Sequence, residues 1–222
     1  MNFIKTSFYT SISTAVTFLT GFIVTKVVAV KIGPSGIAYV GQFQNSIAIL
    51  AMFSTGAITS GVIKYLSSYK DDSENQQRVI TTAISIILLC SFGVSLFVIP
   101  ASGFLSRVAF HNTDFWSVYL LYGLFISIIA LNALFTSILN GFKHIRSLTI
   151  VNIIGSLVGV AFTVTFAYAF GVKGVLIASN FTALIVFGIN IFFIRKIKGI
   201  EWKPSFKKWD IPIAKLLSST AL

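Results

Sequence analysis

VITTAISIILLCSFGVSLFVIPASGFLS, residues 79 to 106, runs for 28 positions without a charge. A helix rising about 1.5 Å per residue needs about 20 residues to cross a hydrocarbon layer of about 30 Å, and this stretch exceeds that. A membrane strand would need only about 10, in strict apolar alternation, and no such alternation is present. The stretch therefore reads as a membrane-spanning helix.

Working outward, the same uncharged pattern recurs from Thr6 to Thr25, Ile32 to Ile63, Phe115 to Phe142, Ser147 to Val172 and Gly174 to Ile194. The pattern predicts six helices with cores at 8–30, 37–63, 79–100, 116–140, 148–170 and 174–194, since hydrocarbon offers open backbone groups no other partner. The whole chain agrees: its 222 residues are 55% hydrophobic and only 10% charged, at a mean hydropathy of +0.89. That is too apolar for a soluble globular domain. Disorder, a collagen repeat and a disulfide-stapled fold are excluded by 22 Phe, Gly without a three-residue period, and one cysteine, Cys90. The first core exceeds the usual apolar length of a signal peptide and lacks a small-x-small cleavage site, so it is expected to be retained.

Short loops rich in Lys and Arg stay in the cytoplasm. Lys5, Lys64, Lys70, Arg78, Lys143, Arg146 and the seven basic residues from Arg195 to Lys215 make thirteen on the N-terminal side, against Lys26, Lys31, Arg107 and Lys173 on the other. A cytoplasmic N-terminus is expected. Because seven of the basic residues lie between 195 and 215, the formal charge of +11 points to anionic lipid, with Trp202 and Trp209 at headgroup depth, and away from nucleic acid. The expected organisation is a six-helix unit over 1–194, a basic interfacial connector over 195–215, and at 216–222 the opening of a seventh membrane helix. Such a chain reads as a fragment, a truncated gene product or a half-unit that needs a partner.

Several chemistries are absent. Gly56 and Gly61 have Walker A spacing, but Val62 and Ile63 stand where Lys and Ser or Thr are required. His111 and His144 fall at opposite ends of spans and Cys90 is isolated, so neither a zinc site nor a Cys/His nucleophile assembles. The six acids, Asp71, Asp72, Glu74, Asp114, Glu201 and Asp210, all map to loops, leaving no buried carboxylate for a proton relay. No metal or cofactor is expected.

Polar residues at helical spacing do emerge. On a straight second helix, Gln42, Ser46, Phe53, Ala57, Ser60 and Lys64 share a face, with Gly56 and Gly61 as points where straightness fails. Asn132, Thr136, Asn140 and Lys143 share a side of the fourth helix, and Asn152, Ser156, Gly159 and Thr163 a side of the fifth. Amides and cations in a bilayer turn toward protein or a watery cavity, because Lys at the midplane costs about 2.5 to 3.5 kcal/mol. The joint pattern predicts a polar, cationic cavity. Ordinary packing is the first reading for the fifth helix, where Gly155 and Gly159 form a G-x-x-x-G spacing. Lys26 shares its face with Phe8, Ile12, Ala15, Leu19 and Phe22, so snorkelling to the outer interface is the simpler expectation for it.

Particular stretches carry a family resemblance: KIGPSGIAYVGQFQNSIAIL at 31–50, GAITSGVIKYLSSYKDD at 56–72, HNTDFW at 111–116, LNGFKHIRSL at 139–148 and IIGSLVGV at 153–160. In this order and spacing they resemble the N-terminal half of the Wzx-type flippases for undecaprenyl-pyrophosphate-linked oligosaccharides, which include O-antigen and enterobacterial common antigen translocases of the bacterial inner membrane. The resemblance implies one six-helix lobe of a MATE-like, two-lobe exporter of the MOP superfamily that alternates between inward and outward openings. It implies a missing C-terminal lobe or second half-unit as partner, and polysaccharide polymerase machinery as a further one. It also implies that Lys64, Lys143, Lys26 and Arg78 contact a diphosphate while Gln42, Asn132 and Asn140 serve glycan hydroxyls. The competing expectations are a MATE-type exporter of small cations, which should carry acidic cavity residues, a membrane enzyme of polysaccharide assembly, which needs a catalytic acid, base or His, and a scaffold acting through its basic connector.

Overall fold

The computed structural model describes residues 3–70, 72–197, 213, 214 and 217, and among these all regular structure is helical. In chain order the helices are α1 (Phe3–Lys31), α2 (Pro34–Ser54), α3 (Thr59–Ser68), α4 (Ser73–Val98), α5 (Ser102–Phe110), α6 (Trp116–Gly141) and α7 (Ile145–Ile194). Length and hydropathy mark α1, α4, α6 and α7 as membrane spans, and the bent pair α2–α3 as a fifth.

Fifty residues of α7 would reach about 75 Å if straight, more than twice a hydrocarbon layer. They do not run straight. Gly171 takes φ 59°, ψ −137°, a region open essentially to glycine, and the chain turns back on itself there. A methyl built at Gly159 would lie 3.6 Å from the Thr182 methyl, one at Gly155 3.0 Å from Val186, and the Phe166 and Phe181 rings are 5.3 Å apart. Residues so paired across Gly171 belong to antiparallel neighbours. The arms 145–170 and 172–194 are therefore two passes, and among the described residues the helices make six spans, at positions close to the expected cores.

The second span departs from expectation. It breaks at 55–58, where Gly56 and Ala57 both have positive φ, 58° and 53°, and α3 leaves at 50° to α2. The break redirects the chain, so the single polar stripe predicted from Gln42 to Lys64 does not exist. The α4 helix begins six residues earlier than its predicted core because Asp72 caps it, its carboxylate accepting from the Asn75 N–H at 3.0 Å. The short α5 was not predicted; it follows the turn at Pro100 and ends in a left-handed His111. The connector and the seventh-helix opening expected at 195–222 lie almost wholly outside the described residues.

The helices pack in one bundle. On one side, α3, α4 and α6 close around Val62, Ala83, Ile87, Leu134 and Ile138. On the other, α2, α5 and α6 close around Phe43, Tyr119 and Tyr122. Small polar residues hold α4 to α6, as is usual where lipid supplies no hydrophobic drive between helices: the Ser95 hydroxyl donates to the Gly123 carbonyl at 2.8 Å, and Ser91 meets Ser127 at 3.1 Å. The outward faces carry exposed Phe18, Phe22, Phe92, Leu96 and Phe192, the surface a bilayer covers.

Candidate functional site

The α1 helix lies against α7 with Ser13 and Thr20 buried and Phe8, Phe18 and Phe22 exposed. Thr17 reaches Ser156 of the first arm at 3.3 Å. Below this meeting point α1, α2 and both arms of α7 enclose an open cleft of about 360 Å³. Thr17 and Thr20 enter it from α1, Gln44 from α2, Ser156 and Thr163 from the first arm, and Ser179 and Thr182 from the second. The glycines of the predicted fifth-helix face do two jobs: they let the arms approach closely and leave room for the cleft.

The cleft continues. Gln44 and Ser179 also line a hollow of about 360 Å³ against Tyr122 and Ile129 of α6. Ala48 and Ala51 connect that hollow to one of about 470 Å³ at the α2–α3 break, where Thr55, Thr59 and Ser60 gather. Thr17 and Ser156 connect the main cleft to another of about 460 Å³ lined by Thr136 and Asn152. Neighbouring hollows share lining residues and so lie side by side, and the one at the α2–α3 break reaches Ser60, one turn of α3 from Lys64. Among the described residues, none that lines any of the four carries a charge.

The residues singled out from sequence separate into groups. Lys64, Asn140 and Lys143 gather at one end, where α3 crosses the end of α6. A methyl at Gly141 would stand 2.8 Å from the Leu66 Cβ and 3.5 Å from the Ile63 Cα, so the two helices nearly touch between these polar residues. All three side chains are exposed. The Lys64 Nζ lies 5.6 Å over the Tyr65 ring, and Lys143 sits in a left-handed turn whose N–H donates to the Asn140 carbonyl at 2.9 Å. These residues form a cationic rim, and the predicted mixing of cations with the polar hollow is not what the geometry presents.

Four others stand elsewhere. Gln42 is exposed, on the side of α2 turned away from Gln44, because two residues advance a helix by about 200°. Lys26 is exposed beside Phe22 and Leu19, on the face that lipid covers. Arg78 is paired with Glu74 at 2.6 Å. Asn132 is committed to helix packing: its Nδ2 donates to the Ala183 carbonyl at 2.8 Å, and its Oδ1 accepts from the Asn190 Nδ2 at 3.0 Å. The cleft residues that sequence reasoning missed are Thr17, Thr20, Gln44, Ser179 and Thr182. For Thr17 a signal existed in its place on the first helix about 180° from Lys26; Gln44, Ser179 and Thr182 carried none.

The sequence profile of the family described as "Polysaccharide biosynthesis protein" matches residues 3–221. The chain is 31% identical over its whole length to proteins named "Lipid III flippase" from Escherichia coli (strain K12) and Shigella flexneri, and spans 53% of their length. Among solved structures, a MOP superfamily transporter from Pyrococcus furiosus superposes with a TM-score of 0.81 at 16% identity. An outward-facing multidrug resistance MATE family transporter gives the same score at 17% identity. Each superposition covers 98% of this chain and 50% of the other. At such identities the likeness is one of fold: an all-α membrane lobe, half of a MATE-type architecture.

Proposed function

The chain belongs to the polysaccharide biosynthesis protein family, and from that membership we propose that it is one lobe of a flippase for lipid-linked oligosaccharides. The observation that carries this reading is the set of adjoining hydroxyl-lined hollows, one of which reaches Ser60, one turn of α3 from Lys64, which stands with Lys143 and Asn140 at one end of the bundle. An undecaprenyl-pyrophosphate-linked glycan has three parts with different solvents. Its diphosphate suits the cationic rim, its sugars suit the hydroxyl-lined hollows, and its polyprenyl tail stays in lipid between helices.

In this reading the N-terminus and the lysine rim face the cytoplasm of a bacterial inner membrane, following the bias of basic residues. Cargo enters from that leaflet, and the lobe rocks against a second lobe, supplied by further sequence or by another unit, to release it on the periplasmic side. No bond in the cargo changes. The glycan is the enterobacterial common antigen unit or an O-antigen unit, and polymerase machinery receives it.

The test deletes the gene and asks which leaflet holds the lipid-linked oligosaccharide, using a membrane-impermeant glycan probe on spheroplasts. Loss of outward display, restored by the wild-type gene and restored less well by Lys64→Ala with Lys143→Ala, supports the reading. Unchanged outward display after deletion overturns it.

A further inference from the structure

Two pairs of tyrosines sit in different settings. Tyr119 and Tyr122 of α6 are buried, and both spend their hydroxyls inside the bundle, donating to the Ser46 hydroxyl at 2.9 Å and the Ile47 carbonyl at 3.2 Å. A phenol tied at its polar end in this way is ordinary core packing. Tyr65 and Tyr69 of α3 are only half-buried, and among the described residues neither hydroxyl meets a partner. Part of each ring rests on the core between α3, α4 and α6, and the remainder is open.

Positions four apart share a face of a helix, and the Tyr65 and Tyr69 ring centroids stand 6.3 Å apart with 24° between their planes. Near-parallel rings at that separation overlap little, so together they present a broad, flat, apolar surface. The surface is held in place from α4. The Gln76 Nε2 donates to the Tyr69 carbonyl at 2.7 Å and to the Lys70 carbonyl at 3.2 Å, which fixes the end of α3. A surface ordered before its ligand arrives loses little freedom on binding. At its edge stands the exposed Lys64, its Nζ 5.6 Å from the Tyr65 centroid. Attraction of a cation to a ring acts within about 6 Å, so the ammonium is held near the outer limit and is free to turn to a phosphate. Cation, ring and ring follow one another at 5.6 and 6.3 Å, steps comparable with the length of one sugar unit.

Resting on the flippase reading, we infer that Tyr65 and Tyr69 form a stacking platform for the sugar next to the diphosphate of a lipid-linked glycan, while Lys64 holds the diphosphate itself. A pyranose ring has a face made of C–H groups, which are slightly positive, and the face of an aromatic ring is negative. The two stack, and the hydroxyls at the sugar's edge stay in water or meet the free phenols. Such a contact reads the presence of a sugar ring and is nearly blind to its substituents. Its consequence is discrimination between loaded and empty carrier: a bare polyprenyl diphosphate satisfies Lys64 and leaves the platform uncovered. Sugars farther along the glycan are left to the hydroxyl-lined hollows, one of which reaches Ser60, a turn of α3 from Lys64 in the direction away from Tyr69.

The experiment measures binding of three probes to the purified full chain in nanodiscs: a bare polyprenyl diphosphate, the same lipid bearing one N-acetylhexosamine, and the same lipid bearing one neutral hexose. Both sugar-bearing lipids are expected to bind at least about fivefold more tightly than the bare one, the worth of one to two ring contacts. That preference should fall to within about twofold in a Tyr65→Leu, Tyr69→Leu double variant, which keeps apolar bulk and removes both rings. It should persist in Tyr65→Phe with Tyr69→Phe, which keeps them. Lys64→Ala should weaken all three probes by a similar factor and leave the preference in place. Tyrosines that serve only as anchors at the membrane interface would alter insertion or Tm and leave the preference untouched, so a preference that survives in a monodisperse leucine variant overturns the inference. Wild-type protein that binds the bare lipid as tightly as the sugar-bearing ones also overturns it, however the variants fold, and in that case the flippase reading stands. If no probe binds, both fall.

Discussion

The turn at Gly171 makes two spans of one helix and brings Ser179 and Thr182 opposite Ser156 and Thr163, so the cleft depends on how tightly the arms close. Gly174, just beyond the turn, is the place to open it. A methyl there would overlap the Phe166 carbonyl oxygen, lie 2.7 Å from its carbonyl carbon and 3.0 Å from the Phe170 Cβ. Carbon atoms pack at about 3.5 to 4.0 Å, so the backbone at Phe166 must retreat by about 0.8 Å or more. Backbone does not rotate out of the way as a side-chain tip does. Overpacking of this kind costs about 1 to 3 kcal/mol or more, well above the 0.5 to 1 kcal/mol that Ala gains over Gly in a helix. Gly174→Ala should lower the Tm of the detergent-purified chain by about 5 to 10 °C, at about 2 to 4 °C per kcal/mol for a chain of this size. Gly188, on the same arm, has nothing within 4 Å of a built methyl, so Gly188→Ala should raise Tm by about 1 to 4 °C. The assay is the loss of the monodisperse peak in size-exclusion chromatography after heating. A Gly174→Ala variant as stable as the Gly188→Ala variant would refute the closed hairpin.

Other predictions follow from single contacts. Asn132→Leu removes two interhelical hydrogen bonds and strands the fully buried Asn190; at about 0.6 kcal/mol each, up to about 1.7, the Tm should fall by about 2 to 14 °C. Adding Asn190→Leu should recover part of that loss, and a double-mutant cycle showing no coupling would refute the pairing. Ala57 occupies a left-handed conformation at φ 53°, which costs a non-glycine residue about 1 to 2 kcal/mol, so Ala57→Gly should raise Tm and Ala57→Val should lower it. At the start of α4, the backbone N–H and side chain of Asn75 hold the Asp72 carboxyl below its ordinary pKa of 3.8. The cap is then fully in place above pH 3.8 and is lost as pH falls through the lower folded value. Hydrogen exchange over residues 75–77 should accelerate on that acidification, and an Asp72→Ala variant should show no such acid-dependent step.

Much of the fold was legible because hydrocarbon is a strict solvent. It demands about 20 apolar residues per helix, and the runs ending at Thr25, Ile63, Ser106, Phe142, Val172 and Ile194 meet that demand wherever the helices finally pack. Breaks were visible only as chances: Gly56 was recognised as a weak point, but the positive φ of Ala57 and the 50° departure of α3 depend on what Ile58 and Val62 pack against. The site was less legible. Helical periodicity finds a polar face but does not say whether that face meets a partner helix or open space. Asn132 and Ser156 carry the same local signal, yet Asn132 is committed to Ala183 and Asn190 while Ser156 lines the cleft.

From sequence alone came the membrane environment, the six apolar runs long enough to span it and the placing of all six acids between those runs, because each follows from composition and spacing along one chain. Tertiary structure decided that the lysines stand apart from the hollows that neutral hydroxyls line, and that Gln44 lines the cleft while Gln42 does not. These depend on the rotation of each helix about its own axis and on which neighbour it meets, and both are set by packing against segments as much as 140 residues away.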